Sequence, residues 1–203
     1  MLNKPVKKKP YRIGFMGPPG AGKSTVCQAL QVEMGSVDLI TAVCPEEARI
    51  FISKFGQPEH IALQVSFAFK QMRREDTLAE SCDVLFCDSP AYLCGVFATL
   101  MMDKSSAQQR KICRDVMKWS VIDQLSRYDA VIYLPKQFEV VDDGVRQPEY
   151  SDTIERAIDG FLNFYHTQFP NYFEVRSACT DPQDILKDRV ETIKTYLNST
   201  FGI

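Results

Sequence analysis

The run Gly17-Pro18-Pro19-Gly20-Ala21-Gly22-Lys23-Ser24 limits this chain more than any other stretch of it. It fits the spacing G-x-x-x-x-G-K-[ST] at every fixed position, and its flanks give the match structural sense. Tyr11–Met16 (YRIGFM) is an apolar run of strand length directly before it. Val26, Ala29 and Leu30 lay an apolar stripe on a helix directly after it. In a strand, glycine-rich turn and helix, successive backbone N–H groups converge on one anion, at the positive end of the helix dipole. Gly17, Pro18, Pro19, Gly20, Ala21, Gly22, Lys23, Ser24 and Thr25 are therefore the expected site for the phosphates of ATP. Lys23 brings a full charge to the β- and γ-phosphates, and the Ser24 hydroxyl is a hard oxygen ligand for Mg²⁺.

Beyond the loop, short apolar runs alternate with longer helical stripes. Asp38–Val43, Val84–Cys87, Ala130–Leu134 and Tyr172–Val175 read as further strands. Helical patterns begin near Pro45, Pro58, Tyr92, Gln108 and Thr153, and a last one is capped by Thr180 or Asp181 with Pro182 in its first turn. This alternation predicts a three-layer α/β P-loop NTPase with a mostly parallel five-stranded sheet. Its ligands gather at the carboxyl ends of the strands, where Gly17, Asp88 and Pro135 fall.

At 203 residues, 45% apolar and 25% charged, the chain is expected to be a single domain over 11–203 behind a flexible basic arm at 1–10. Residues 1–12 carry Lys4, Lys7, Lys8, Lys9 and Arg12 and no acid, which leaves 19 basic groups against 26 acids in the remainder. A body that acidic repels nucleic acid unless its cations share one face. No run of 18 apolar residues and no secretory leader is present, so a soluble, cytoplasmic protein is expected. Seven cysteines without a CxxC pair fit free thiols in a reducing compartment, and two histidines argue against a histidine triad or a zinc site.

Val84-Leu85-Phe86-Cys87-Asp88 is the natural partner of the loop, an apolar strand ending in an acid. Asp88 can reach Mg²⁺ through water or take a proton from an attacking hydroxyl, and sequence does not separate these roles. No NKxD base-reading motif occurs, and the chain is small, with its own acid and several internal arginines. A small kinase is the simpler reading.

Several segments together resemble one family. The loop at 17–24, Pro45-Glu46-Glu47-Ala48-Arg49, Phe86-Cys87-Asp88-Ser89-Pro90 and Asp143-Gly144-Val145-Arg146 occur in its order. The chain resembles P-loop kinases built like the ribosylnicotinamide kinase domain of the bacterial NAD-biosynthesis regulator, which are related to thymidylate-kinase-like enzymes. That resemblance implies the nucleoside or nucleotide kinase type of fold. It implies an acceptor pocket lined by Glu47 and Arg49, with Glu47 on sugar hydroxyls and Arg49 on phosphate or orienting Glu47; an exposed helical ion pair is the alternative. It also implies a lid at about 135–152, from which Arg146, and Arg156 beyond it, meet the charge on the transferred phosphoryl group.

No nucleotidyltransferase domain precedes the loop. The helix near 101–118 also adds Arg110, Arg114 and Lys118 at i, i+4 and i+8, either a solvated face or a surface for DNA phosphates. Some related bacteriophage kinases phosphorylate hydroxymethyluracil inside DNA, in host cytoplasm. Two acceptors thus stay open, a free nucleoside or nucleotide and a hydroxymethylated base in DNA, with the basic features leaning toward the second. Phe67, Phe69, Tyr92 and Phe97 are either stacking partners for a base or core. An ATP-binding regulatory switch is the alternative outside the kinases, and oligomeric state is not readable.

Overall fold

The computed structural model describes residues 9–36, 38–102, 105–122, 125–138 and 150–203; in the helix over 107–122 it describes the side chains of 107–115 and 118. Strands β1 (Tyr11–Met16), β2 (Thr41–Cys44), β3 (Val84–Asp88), β4 (Ala130–Tyr133) and β5 (Tyr172–Glu174) form one parallel sheet in the order β2-β3-β1-β4-β5. The described α-helices are α1 (Lys23–Met34), α2 (Glu47–Phe55), α3 (Ala62–Ala79), α4 (Leu93–Leu100), α5 (Ala107–Ile122), α6 (Ser151–Tyr165) and α7 (Pro182–Phe201), with short 3-10 turns at Leu125–Arg127 and His166–Gln168.

Successive strand side chains point to opposite faces, and here both faces are covered, so the strands read as near-continuous apolar runs. Ile13, Phe15, Val84, Phe86 and Ile132 pack against Val26 and Leu30 of α1 and Val190, Ile193 and Leu197 of α7. Met16, Cys44, Leu85, Cys87, Val131 and Tyr133 pack against Phe67 of α3, Val96 of α4 and Ile158 and Leu162 of α6. The result is the three-layer α/β arrangement of P-loop NTPases. Cys27, Cys44, Cys82, Cys87, Cys94 and Cys113 are buried, Cys179 is exposed, and all seven are free thiols.

β2 starts later than the apolar run suggests. Asp83 accepts the Ile40 N–H at 2.8 Å with its carboxylate, and its own N–H donates to Ile40 O at 2.7 Å, so the ladder begins only at Thr41 opposite Val84. At the other end of the chain, Asp181 is the cap of α7: its carboxylate accepts from Gln183 N at 2.9 Å, and Pro182 follows. Such a cap contributes about 1 kcal/mol.

Phe67 and Tyr92 are core residues. Tyr92 meets Tyr128 edge-on at 5.4 Å between centroids, and Phe67 packs on Phe51 at 5.1 Å, so the four aromatics do not form one stacking face. The register sets Phe15 beside Asp88 and Met16 beside Tyr133. The loop after β1, the turn after β3 and the exit of β4 therefore open on the same edge of the sheet. Among the described residues no helix is long and apolar enough to cross a membrane.

Candidate active site

The loop leaves β1 through Gly17, whose φ of 153° is open to glycine and strained for other residues. A Cβ there would also lie 2.3 Å from Leu134 O, a backbone atom that cannot step aside. Ala21 N closes a turn onto Pro18 O at 3.1 Å, and Gly22, at φ 79°, hands the chain to α1. The first intrahelical bond is Val26 N to Gly22 O at 2.9 Å. The N–H groups of Gly22, Lys23, Ser24 and Thr25 therefore have no acceptor within the helix and face the loop's concavity. Lys23 folds over this concavity, its Nζ donating to Gly17 O at 2.8 Å and Pro18 O at 3.2 Å.

β3 delivers Asp88 to the same point. Ser24 Oγ donates to Asp88 Oδ2 at 2.5 Å, while Asp88 Oδ1 is buried with no hydrogen-bond partner among the described residues. A buried carboxylate oxygen without a donor calls for a cation or a water. With the Ser24 hydroxyl beside it, the donor set is of hard oxygens, which fits Mg²⁺. The next residue, Ser89, sits at φ 65°, in the left-handed region that non-glycine residues rarely adopt. Its hydroxyl donates to the carboxylate of Glu46. Burial pushes the Glu46 carboxyl above its usual range; Lys23 opposes this and the charge of Asp88 adds to it.

The resemblance implies Glu47 in the acceptor pocket; in the structure it is the neighbouring Glu46 that interacts with Lys23, Asp88 and Ser89. Glu47 begins α2 with its side chain turned the other way, ion-paired to Arg74 of α3. Its N–H donates to Gln71 Oε1 at 3.0 Å. Two adjacent acids at a helix start point in different directions, and only the packing of α2 on α3 decides which faces the loop. Arg49 acts on Glu46 electrostatically, one turn along α2.

Behind these acids lies a brace that composition and spacing did not reveal. Glu75 of α3 is fully buried, accepting from Arg127 Nε at 3.1 Å, Tyr128 OH at 3.0 Å and Gln71 Nε2 at 3.3 Å. Gln71 holds the first turn of α2, and Tyr128 OH accepts the Ala91 N–H at 2.9 Å, just past Asp88-Ser89-Pro90. One carboxylate thus supports both the Glu46 and the Asp88 segments. In the first turn of α3, Gln64 is 5% exposed; its Nε2 donates to Met101 Sδ at 3.7 Å, and its Oε1 has no partner among the described residues. Gln71 lies beside Cys44 at the carboxyl end of β2, and Asp76 beside Arg12 near the start of β1. The preceding turns of α3, with Gln64, therefore stand above the loop's edge of the sheet.

The other expected site residues are not gathered here. Arg146, with the Asp143–Arg146 stretch and most of the 135–152 segment, lies outside the described residues, as does the arm at 1–8. Arg156 is exposed on α6 and donates to Thr153 Oγ1 of its own helix at 3.2 Å. In the basic row of α5, Arg114 and Lys118 are exposed. Arg110 is not part of a free face: its guanidinium caps backbone carbonyls of Met102 and Ser105, because a helix start lies beside the end of α4.

A further arginine was missed. Arg189 of α7 has no exposed surface, yet it donates to Ala21 O at 2.6 Å, Pro135 O at 2.7 Å and Gln137 Oε1 at 2.6 Å. In sequence it is one more charge on an amphipathic helix. Its place four residues after Ile185 and four before Ile193 puts it on the apolar stripe of α7, a signal present in the sequence; only the tertiary packing shows what it binds.

A parallel sheet covered on both faces, with this loop at the end of its central strand and an acid at the end of the next, defines a P-loop NTPase. The chain belongs to the AAA domain family, whose model matches residues 12–175. Among curated proteins none matches. Solved structures of similar fold include deoxyadenosine kinase from M. mycoides with bound dATP, at 18% identity and TM-score 0.61, covering 93% of this chain and 99% of that one. NadR in complex with NR is similar at 16% identity and TM-score 0.74, covering 96% of this chain and 52% of that one. NadR with NAD and AMP-PNP gives 12% identity and TM-score 0.70. The chain spans about half the length of the NadR chains.

Proposed function

We propose that this chain is an ATP-dependent kinase that phosphorylates a hydroxyl of a nucleoside-type acceptor. The observation that carries the reading is the meeting of Lys23, the Ser24–Asp88 pair and the Glu46–Ser89 pair on one edge of the sheet. The nucleoside kinases among the similar folds support it.

In this reading the loop amides and Lys23 bind and orient the phosphates. Asp88 and Ser24 hold Mg²⁺, which when bound supplies positive charge to the phosphate oxygens. Glu46 accepts the proton of the acceptor hydroxyl. Its raised proton affinity suits a group that must capture a proton as the new P–O bond forms. Ser89 orients Glu46, and the unpaired Gln64 Oε1 offers a hydrogen-bond acceptor to the acceptor's base. Arg49 contributes on the acceptor side, and Arg146 and Arg156 are proposed to meet the transferred phosphoryl from a lid over 135–152. Residues 11–203 act as one domain behind the basic arm at 1–10. Phosphoryl transfer asks little covalent work of the protein, so positioning and charge supply most of the rate.

A DNA-borne acceptor such as hydroxymethyluracil keeps support only from the exposed Arg114 and Lys118 and the basic arm, since Arg110 is spent on carbonyls. The test is transfer of label from γ-labelled ATP with Mg²⁺ to free nucleosides and nucleotides, including ribosylnicotinamide, and to DNA containing hydroxymethyluracil. Label in a free nucleoside supports the reading. Label in DNA alone makes this a DNA-modifying kinase. ATP binding with no labelled acceptor turns the reading to a regulatory switch.

A further inference from the structure

We propose that Arg189 is a positioning residue of the phosphate site, whose interior charge, unpaired with any carboxylate among the described residues, strengthens the Gly22 amide as an anion donor and ties the loop to the exits of β4 and β5. The inference rests on the nucleotide reading above only in needing phosphates on the loop.

The guanidinium is interior, and its three short hydrogen bonds all go to neutral oxygens, of Ala21, Pro135 and Gln137. Among the described residues no carboxylate forms an ion pair with it. Burial holds it below its usual value, at about 10, with Arg176 opposing its charge and Asp188 favouring it, so it stays cationic at neutral pH. An interior charge without a counter-charge is costly, and that cost falls when an anion arrives nearby.

The place of the charge says which anion. Ala21 C=O and Gly22 N–H are the two ends of one peptide group. A charged donor on the oxygen draws electron density toward it and leaves the N–H a stronger donor. Gly22 N–H is one of the amides with no intrahelical acceptor, facing the loop's concavity. Arg189 is close behind it: a Cβ added to Gly22 would lie 3.8 Å from Arg189 Nη1 and 3.1 Å from Phe138, whose ring covers the guanidinium at 5.6 Å. The same cation fixes the neighbouring segments. Gln137, held by Arg189, pairs both ways with the backbone after β5, donating to Ser177 O at 2.8 Å and accepting from Ser177 N at 3.0 Å. Loop, β4 exit and β5 exit thus share one buried charge.

The test is calorimetric titration of the full chain, Arg189→Met and Arg189→Lys with ATP, adenosine and tripolyphosphate. Loss of a charge-assisted contact predicts that Arg189→Met weakens ATP and tripolyphosphate by about tenfold or more, leaves adenosine unchanged, and that Arg189→Lys recovers part of the loss. A purely structural arginine would weaken adenosine in step with ATP, and that result overturns the proposal. So does unchanged tripolyphosphate affinity in Arg189→Met. If the Met variant fails to fold, Arg189→Lys carries the test, because one ammonium cannot reach three oxygens; wild-type affinity there overturns the proposal. A wild-type chain that binds neither ATP nor tripolyphosphate removes the nucleotide reading itself, and this inference with it.

Discussion

Tyr128→Phe removes one oxygen atom from the interior and nothing else. That hydroxyl accepts the Ala91 N–H at 2.9 Å and donates to the Glu75 carboxylate at 3.0 and 3.1 Å. Its loss leaves a buried N–H without an acceptor, at about 1–3 kcal/mol, and deletes a hydrogen bond to a charged group, at about 1.5–3 kcal/mol. Glu75 keeps Arg127 and Gln71, so the lower ends apply and the sum is about 2.5 kcal/mol. The ring contact with Tyr92 survives, so the area exposed on unfolding is unchanged. Urea titration should show a lower midpoint at the same slope. Calorimetry should show a melting temperature lower by about 5–10 °C.

The same substitution has a pH signature. Burial holds the Glu75 carboxyl above its usual range, despite Arg127, Tyr128 and Gln71 pulling it down. A folded-state value above the unfolded one means that stability falls as pH rises through that window. Removing the tyrosine's donation raises the folded value further, so the penalty should be larger at neutral pH than in acid, where the carboxyl is protonated. A loss under about 1 kcal/mol at neutral pH, or one that does not vary with pH, would refute the view of Glu75 as a charged brace.

Lys23→Ala should abolish phosphoryl transfer in the labelled-ATP assay, and substantial residual turnover would remove the loop from the mechanism. Glu46→Gln should lower turnover by about a hundredfold or more, the usual worth of a general base, with ATP affinity kept. Because burial holds the Glu46 carboxyl above its usual range, the folded chain disfavours its ionisation, and stability falls as pH rises from that range to the raised value. The Gln variant should lose this slope in melting temperature against pH. Full turnover in Glu46→Gln would put the base elsewhere.

What could be read in advance was local. The loop and β1 are contiguous, and their chemistry depends on spacing alone, so Gly17 to Ser24 stand where the motif implies. Asp88 was legible because an apolar strand ending in an acid aims that acid at the sheet's edge. Glu46 against Glu47 was not, because the choice turns on how α2 rotates against Arg74 and Gln71, partners 24 to 27 residues away. Arg189 was half in view: its spacing from Ile185 and Ile193 places it on the apolar stripe, but its partners lie 168 and 54 residues distant and only the folded chain brings them to it. The basic row on α5 shows the limit in the opposite sense. Helical spacing gave its face correctly but could not show that the end of α4 occupies Arg110.

The six interior thiols make the fold its own reporter. Cys179 is open to a soluble thiol reagent at all times, whereas burial lifts Cys27 and Cys87 well above the usual thiol range and shields them. Each slower labelling event therefore times an opening. Cys27 lies on the α1 and α7 side of the sheet, and Cys44, Cys87 and Cys94 on the α3, α4 and α6 side. Mass spectrometry of partly labelled protein would show which layer lifts first, and whether ATP slows one side or both.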